Sequence, residues 1–382
     1  MQDALIDRIR AAHADHRRLV IRGHGSKAFY GNPVAGEPLD TTPLIGVIDY
    51  QPQELVLTAR AGTPLAEIEA LLAENGQMLP FEPPRFGPHP NPLPPAGEGA
   101  NDAHRAPGAM NGTLGGAIAT GLSGPRRAYA GAARDFVLGV RLVDGTGQAL
   151  RFGGQVIKNV AGYDVSRLMA GALGTLGLIT EISLKVLPRP AAETSLQFEC
   201  AEAEAIRRMN EWAGRPLPLS ATSWHAGLLA VRLSGAASAV RAAQAKLGGE
   251  PLHDADGFWL RLRDQTTPFF DAAHFSGEGP PGSNRNLWRL AVNPTAAPLS
   301  LGDAQWIEAG GGVRWLAADA PPAALREAAR RHGGHATLFR GDALADGNFA
   351  PLAPALAALH GNLKRRFDPH GVFNRGRLYP EF

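Results

Sequence analysis

The chain of 382 residues contains one cysteine, Cys200. That excludes an internal disulfide. It equally excludes a zinc site or iron–sulfur cluster built from four of the chain's own cysteines, so any such centre has to sit on a partner. Lysine is also scarce, confined to Lys27, Lys158, Lys185, Lys246 and Lys364. The 38 basic and 36 acidic residues leave a net charge of +2, with no block of five or six like charges. Nucleic acid is therefore not an expected partner, and a polybasic membrane anchor is not expected either. No apolar run reaches the ~18 residues of a membrane span, so no transmembrane segment is expected. The opening MQDALIDRIR has no basic stretch leading into an apolar one. No secretory signal is expected, and the expected compartment is the cytoplasm.

Glycine and proline, in contrast, are abundant: 46 and 31 residues, about a fifth of the chain against an average near ~12%. Both weaken helix interiors, which argues against helical bundles and long coiled coils. The excess belongs in turns, in backbone approaching a ligand, or in irregular chain. A hydrophobic content of 44% is ordinary for a folded protein, and the length suits about two to three domains.

Leu5, Ile6, Ile9 and Ala12 recur at helical spacing and predict a short helix over 4–13. Strands are predicted at 18–22 and 55–61. Thr63 is placed to cap a helix over 64–75, with Pro64 in its first turn and Gly76 beyond its end. MLPF at 78–81 is a further short strand. Residues 82–112, rich in Pro, Gly and Ala without an apolar period, predict a loop or insertion. Between 113 and 190 a small-residue helix precedes two strands joined near Asp144-Gly145. One or two helical turns around 164–170 and a strand over 176–187 follow. From 191 to 345, strands such as LQFEC and LAVRLSG alternate with amphipathic helices such as EAEAIRRMNEWAG and AASAVRAAQAKLGG. This is the pattern of an α+β unit with a largely antiparallel sheet. A helix near 352–366 leads into a terminal coil.

Four segments carry chemistry. In RGHGSK at 22–27, Gly23 and Gly25 allow backbone N–H groups to turn inward as an anion nest, with Ser26 and Lys27 as added donors; taken alone it is equally an ordinary glycine turn. In TLGGAIATGLSG at 113–124, Gly115 and Gly116 open a helix whose first turn offers free N–H groups, or merely a tightly packed small-residue helix. No Walker loop is present, and no acidic residue completes a Rossmann fingerprint. The stretch 158–182 holds Lys158 and Asn159 beside GTLG at 174–177. FDPHGVFNRGRLY at 367–379 places Asn374 and Arg377 around Gly376 in a coil rich enough in aromatics to be docked. Arg289 and Arg340 fall on strands, where either is a candidate for a substrate carboxylate or a paired surface arginine. His332 and His335 in HGGH are weak metal candidates, since the two glycines suit a helix end, and no metal is expected. Cys200 is expected to be an inert small hydrophobe.

In this order and separation, IRGHGSKAFYG, LPFEPPRFG, TLGGAIATGLSGPRRAYAGAARDFVLGVRLV, RFGGQVIKNVAGYDVSRLMAG, GTLGLITEISLKVLPRP and FDPHGVFNRGRLY resemble FAD-binding proteins of the vanillyl-alcohol-oxidase, or PCMH, type. Within that group they are similar to the FAD-binding subunits of bacterial glycolate oxidases. The resemblance runs over nearly the whole chain. It implies an α+β fold: a FAD-binding domain over 1–190, made of lobes 1–82 and 108–190 with a Pro/Gly-rich insertion at 83–107, then a cap over 191–350, and a segment 351–382 that returns to the flavin.

The resemblance also implies a set of cofactor residues. Gly23, Gly25, Ser26 and Lys27 lie on the diphosphate. Thr113, Gly115, Gly116, Ala119 and Thr120 line the diphosphate and flavin side of the second lobe, and Ser123, Arg126 and Tyr129 follow the cofactor. Gly177 and Ile179 match the ribose and adenine end, and Asn374 and Arg377 the isoalloxazine end. Relatives with a histidyl flavin place that histidine at the position of Ser26, and His24 lies two residues early, so the FAD is expected to be non-covalent. There are departures. Arg375 stands where relatives usually have proline. Residues 88–106 exceed the short link expected between FG and TLGG. The histidine and GDGN motif of the sister catalytic subunit has no counterpart.

The implied function is the FAD-linked oxidation of a small 2-hydroxy acid, glycolate to glyoxylate. It works beside a catalytic flavoprotein sister subunit, and electrons pass to an iron–sulfur subunit. Any membrane association is peripheral, through those partners. Two alternatives stay open: a non-catalytic FAD-binding scaffold of the same complex, or an NADPH-dependent flavin reductase that shares the fold. No residue is identified as the catalytic base.

Overall fold

The computed structural model describes residues 2–86, 112–154, 164–270, 286–301 and 305–382. Helix α1 (Gln2–Ala14) turns Leu5, Ile9 and Ala12 inward, as their spacing predicts. Beside it, β1 (Leu19–Arg22) pairs in parallel with β2 (Glu37–Asp40). The far end of the chain completes this layer. Phe373 bridges Leu19 in parallel, and the Leu19 N–H donates to the Val372 carbonyl at 2.7 Å. Leu5, Ile9, Leu19, Leu39, Val372 and Phe373 share one buried cluster.

A second, antiparallel sheet combines β3 (Val47–Gln51) and β4 (Val56–Arg60) with β6 (Val137–Val143), β7 (Ala149–Gly153) and β8 (Leu178–Lys185), in the order β3-β4-β8-β6-β7. Its central pairing, β4 with β8, joins the segments before and after residues 87–111 in one core. Helix α2 (Leu65–Glu74) buries Leu65, Ile68 and Leu72 against it, and α3 (Leu114–Thr120) buries Leu114, Ala117 and Ile118. The turns α4 (Arg127–Ala130), α5 (Ala133–Phe136) and α6 (Val165–Leu168) fill the rest. The β6–β7 connection is the hairpin expected at Asp144, whose carboxylate accepts from the N–H groups of Thr146 and Gln148, both at 2.9 Å.

Two expectations are corrected, and two strands were missed. Thr63 does not cap α2: Pro64 occupies the cap position, and the Thr63 hydroxyl accepts from the Gly46 N–H at 3.0 Å. The strand expected at 78–81 is only the pair β5 (Gln77–Met78), held by β9 (Leu187–Pro188). Strands β2 and β3 were not anticipated, because EPLD buries only Leu39 and VIDYQ lies on a sheet edge. Neither shows the alternation that identifies a half-buried strand.

The third sheet has eight antiparallel strands, built from β10 (Ala192–Glu199), β11 (Leu219–His225), β12 (Leu228–Gly235), β13 (Glu250–Pro251), β14 (Asn286–Ala291), β15 (Gln305–Glu308), β16 (Val313–Ala318) and β17 (His335–Arg340). Their order is β13-β10-β12-β11-β15-β16-β14-β17. On one face, α7 (Glu202–Ala213) and α8 (Ala237–Leu247) pack through Ile206, Met209 and Val240. On the same face α10 (Pro322–Arg331) packs through Leu325 and Ala329 onto Trp288, Leu290 and Leu338. Side chains alternate across a strand, so Leu287, Trp315 and Phe339 point to the other face. There they cluster with Trp259 of α9 (Ala255–Asp264) and with Tyr30 and Phe86 from the N-terminal part of the chain. That aromatic seam brings the first glycine loop to the large sheet. Helix α11 (Pro354–Phe367) then leads into the docked terminal coil. Among the described residues no helix is long and apolar enough to cross a membrane.

Candidate functional site

The first glycine loop leaves β1 at Arg22. Gly25 holds a left-handed φ of 73°. Gly23 packs so tightly that a Cβ there would stand 2.7 Å from the Thr113 hydroxyl. Among the described residues, the backbone N–H groups of Gly23, Gly25, Ser26 and Lys27 have no acceptor. The loop's carbonyls are occupied instead. The Arg377 guanidinium donates to those of Ala28 and Tyr30 at 2.9 Å each, and to that of Lys27 at 3.4 Å. Burial pushes this guanidinium down to about 10. Asn374 braces the preceding strand: its Oδ1 accepts from the Ile21 N–H at 2.9 Å, and its Nδ2 donates to the Leu173 carbonyl at 2.7 Å. Both C-terminal residues thus act through the loop, holding its carbonyls on one side and leaving its N–H groups for the other.

Those N–H groups share their neighbourhood with Lys27. Its Nζ is buried without a hydrogen-bond partner among the described residues. It lies 5.6 Å from the centre of the Phe86 ring, near enough to Gly112 that a Cβ there would meet it at 2.9 Å. Burial pushes the ammonium down to about 8, with Asp264 pulling the other way. A buried polar group without a partner is costly, and an ammonium beside free amide N–H groups is an anion cradle. The expected diphosphate fits this donor set.

The second segment behaves differently from its expectation. The three donors of the first turn of α3 are used inside the protein: the Leu114 N–H on the Thr63 carbonyl at 2.9 Å, the Gly115 N–H on the Ala61 carbonyl at 2.7 Å, and the Gly116 N–H on the Thr113 hydroxyl at 3.1 Å. The free N–H groups predicted there are absent. What Gly115 supplies is close approach, since a Cβ would stand 2.8 Å from Ala61 Cβ. Thr120 returns its hydroxyl to the Gly116 carbonyl, the Ala119 carbonyl accepts from the Leu173 N–H, and Ser123 accepts from the Ala133 N–H. Gly177 lies against Val143, and Ile179 is buried in the core of the five-stranded sheet. Lys158 and Asn159 lie outside the described residues.

Arg126 and Tyr129 face the large sheet. Arg126 donates to Glu82 and to Glu193, and Arg232 of β12 meets the same Glu82 carboxylate at 2.9 Å. Burial alone would raise the Glu82 carboxyl, but Arg232 and Arg126 hold it below its ordinary value. The Tyr129 hydroxyl is 3.4 Å from that of Thr222 on β11.

The sheet itself supplies the opposite wall. The Arg340 guanidinium lies 4.7 Å from the Phe29 ring centre and 5.2 Å from that of Phe86. Its hydrogen bond goes to the Phe270 carbonyl at 3.3 Å, and burial pushes it down to about 10. Arg289 stacks on Trp315, 5.8 Å from the ring centre. Two strands from Arg289 in the same sheet, on β15, lies a residue the sequence did not single out, Glu308. Its Oε1 accepts from Trp315 Nε1 at 2.7 Å. Burial pushes its carboxyl up to about 7, against the opposing pull of Trp315 and Arg289. Nothing in QWIE marks this glutamate, because a four-residue strand is too short for its alternation to stand out. His332 ends α10 and His335 starts β17, as the helix-end reading of HGGH predicts. Cys200 is half-buried, and burial raises its thiol.

Comparison with known proteins identifies the family. The FAD binding domain family matches residues 1–89 and 103–153. Glycolate oxidase subunit GlcE of Escherichia coli is 45% identical over 99% of this chain and 97% of its own length. Two shorter matches are each 42% identical: glycolate oxidase subunit GlcD of Bacillus subtilis, over 22% of this chain and 18% of its own, and D-lactate dehydrogenase of Anaerostipes hadrus, over 24% and 19%. Among solved structures, an alkyldihydroxyacetonephosphate synthase superposes with a TM-score of 0.60 over 96% of this chain and 74% of its own. At 15% identity that likeness speaks to the fold, which is the α+β, PCMH-type FAD-binding fold. With near-complete coverage of both sequences, the chain belongs to the glycolate oxidase subunit GlcE family of FAD-linked oxidoreductases.

Proposed function

We propose that this chain is the FAD-binding subunit of a glycolate-oxidising complex. The observation that carries the reading is the likeness to GlcE along nearly the whole chain. FAD, when bound, supplies the two-electron acceptor for oxidation of a 2-hydroxy acid to the 2-oxo acid. The chain's own residues hold and orient it. The free N–H groups of Gly23, Gly25, Ser26 and Lys27, with the Lys27 ammonium, take the diphosphate non-covalently. Thr113, Gly115, Gly116, Ala119, Thr120, Ser123, Arg126 and Tyr129 form the wall beside it, and Gly177 and Ile179 stand toward the adenine end. Asn374 and Arg377 position the first loop. With one cysteine, the chain has no four-cysteine cluster of its own, which supports an iron–sulfur partner as the electron acceptor, beside a flavoprotein sister subunit.

The test is purification of the chain alone and with its partner subunits, followed by anaerobic addition of glycolate. Both preparations should carry FAD, and glycolate should bleach the visible flavin band. A chain that holds no FAD, even when supplied with it, would overturn the reading. The missing GDGN motif favours a second reading, a FAD-binding scaffold that stabilises the sister subunit. It predicts bleaching in the complex and none in the isolated, FAD-loaded chain.

A further inference from the structure

Arg289 and Glu308 are opposite charges on the same sheet face, and they do not pair. Arg289 is opposite Trp315 across β14 and β16, and Trp315 is opposite Trp306 across β16 and β15. Glu308, two residues from Trp306, shares its face. Trp315 touches both charged groups: its indole N–H binds Glu308 Oε1 at 2.7 Å and its ring carries the Arg289 guanidinium. Among the described residues, Arg289 has no hydrogen bond or ion pair, and Glu308 Oε2 has no partner. Both residues are half-buried, and each spends its contact on the same indole rather than on the other.

The surroundings favour an anion. Arg289 acts electrostatically on Tyr30, on Arg127 of α4 and on His335 of β17, which places it at the centre of the seam. Arg340 stands on the neighbouring strand and Lys27 across Phe86. The groups that act on Glu308 are Trp315, through its indole N–H, and Arg289 from β14, and on the neighbouring strand β11 His225 stacks on Trp306. Arg289, Arg340 and Lys27 thus stand along the seam, with Asp264 acting on Lys27.

We propose that Arg289 and Glu308 form the pocket for a small 2-hydroxy acid, with Arg289 seating the carboxylate and Glu308 Oε2 accepting the hydroxyl proton. The inference rests on the reading of the chain as a FAD-linked 2-hydroxy acid oxidoreductase. In the step, the substrate O–H bond breaks and its proton passes to Glu308. The electron pair left on oxygen would form the C=O bond, and the C–H hydrogen would leave with its two electrons; FAD, when bound, would supply the acceptor for that hydride. The Trp315 N–H fixes the other carboxylate oxygen, so Oε2 is the one free to act. A carboxyl near 7 suits a base working at neutral pH.

The experiment uses the isolated, FAD-loaded chain as wild type, Arg289→Met, Arg289→Lys and Glu308→Gln, with flavin content as the folding control. Glyoxylate, the 2-oxo product, is titrated in and read by the shift of the flavin band, which needs no turnover. Glycolate bleaching is then followed anaerobically from pH 5.5 to 8.5. Arg289→Met should weaken glyoxylate binding at least about 30-fold, with Arg289→Lys between it and wild type. Glu308→Gln should bind glyoxylate within a few-fold of wild type. It should bleach about 100-fold or more slowly and lack the fall in rate below about pH 7 expected of wild type. Unchanged glyoxylate affinity in an Arg289→Met chain that keeps its FAD overturns the carboxylate site, and a wild-type rate in Glu308→Gln overturns the proton step. In both cases the functional reading stands. If wild type carries FAD yet neither binds glyoxylate nor bleaches, that reading fails for the isolated chain and takes the pocket with it.

Discussion

The Arg377 guanidinium meets the Ala28 carbonyl at 2.9 Å, joining the terminal coil to the first glycine loop across 349 positions of sequence. The same nitrogen also serves Tyr30, so one side chain orients the peptides beside the predicted diphosphate site.

Arg377→Ala should therefore act on the cofactor without touching it. Leaving buried carbonyls without their charged donor costs about 3 kcal/mol. The expected outcome is a lower thermal midpoint and weaker FAD retention, measured by flavin absorbance after gel filtration. Arg377→Lys, with no planar fork, should recover only part of either. Full flavin content in Arg377→Ala would show that the loop holds its own shape.

Lys27 gives a pH dependence of known sign. Its folded value, about 8, lies below the ordinary 10.5, so between these values the FAD-free folded chain binds fewer protons than the unfolded one. Stability of the FAD-free chain should rise as pH goes from 8 to 10.5, by about 3 kcal/mol from this group. FAD affinity should move oppositely, falling above pH 8 as the ammonium is lost. Lys27→Met should flatten both curves, checked by denaturant unfolding and by flavin titration across the range. A wild-type FAD affinity that stays level through pH 9 would contradict the assignment.

Glu82 ties three parts of the chain together through Arg126 and Arg232. Glu82→Gln leaves two buried guanidinium groups short of a carboxylate and should cost about 3–5 kcal/mol. Because its folded value is held below 4.5, its contribution is complete above that pH and lost as pH falls through the folded value. Thermal midpoints from pH 6 to 3 should drop less steeply in Glu82→Gln than in wild type.

Gly115→Ala tests close packing against anion binding by α3. A Cβ would press on Ala61, and the segment cannot shift without breaking the 2.7 Å bond from the Gly115 N–H. A loss of about 1–3 kcal/mol is expected, visible in urea unfolding of the FAD-free chain. An effect confined to the FAD-loaded chain would instead mark Gly115 as a cofactor contact.

Much of this molecule is legible in its residues. The spacing of Leu5, Ile9 and Ala12 fixes α1, the turn residues after Val143 fix the β6–β7 hairpin, and the repeated strand–helix pattern after residue 190 specifies an antiparallel sheet covered by helices. These are local signals, because periodicity and turn chemistry act over a few positions. The glycine-rich strings also announce a FAD-binding family, since backbone that must approach a ligand tolerates few residues other than glycine.

Other features are decided only when distant segments meet. Whether a helix N-terminus is open depends on which carbonyls reach it, and at α3 the carbonyls of Ala61 and Thr63 do. Whether Arg377 is a ligand or a brace depends on three carbonyls some 350 positions away. Glu308 is the clearest case. Within QWIE it is a polar residue on a short strand. It becomes a half-buried carboxyl pushed up to about 7, sharing Trp315 with an arginine that has no ion pair among the described residues, only when β14, β15 and β16 are laid side by side. Desolvation and charge proximity are properties of the folded volume, and a linear string carries neither.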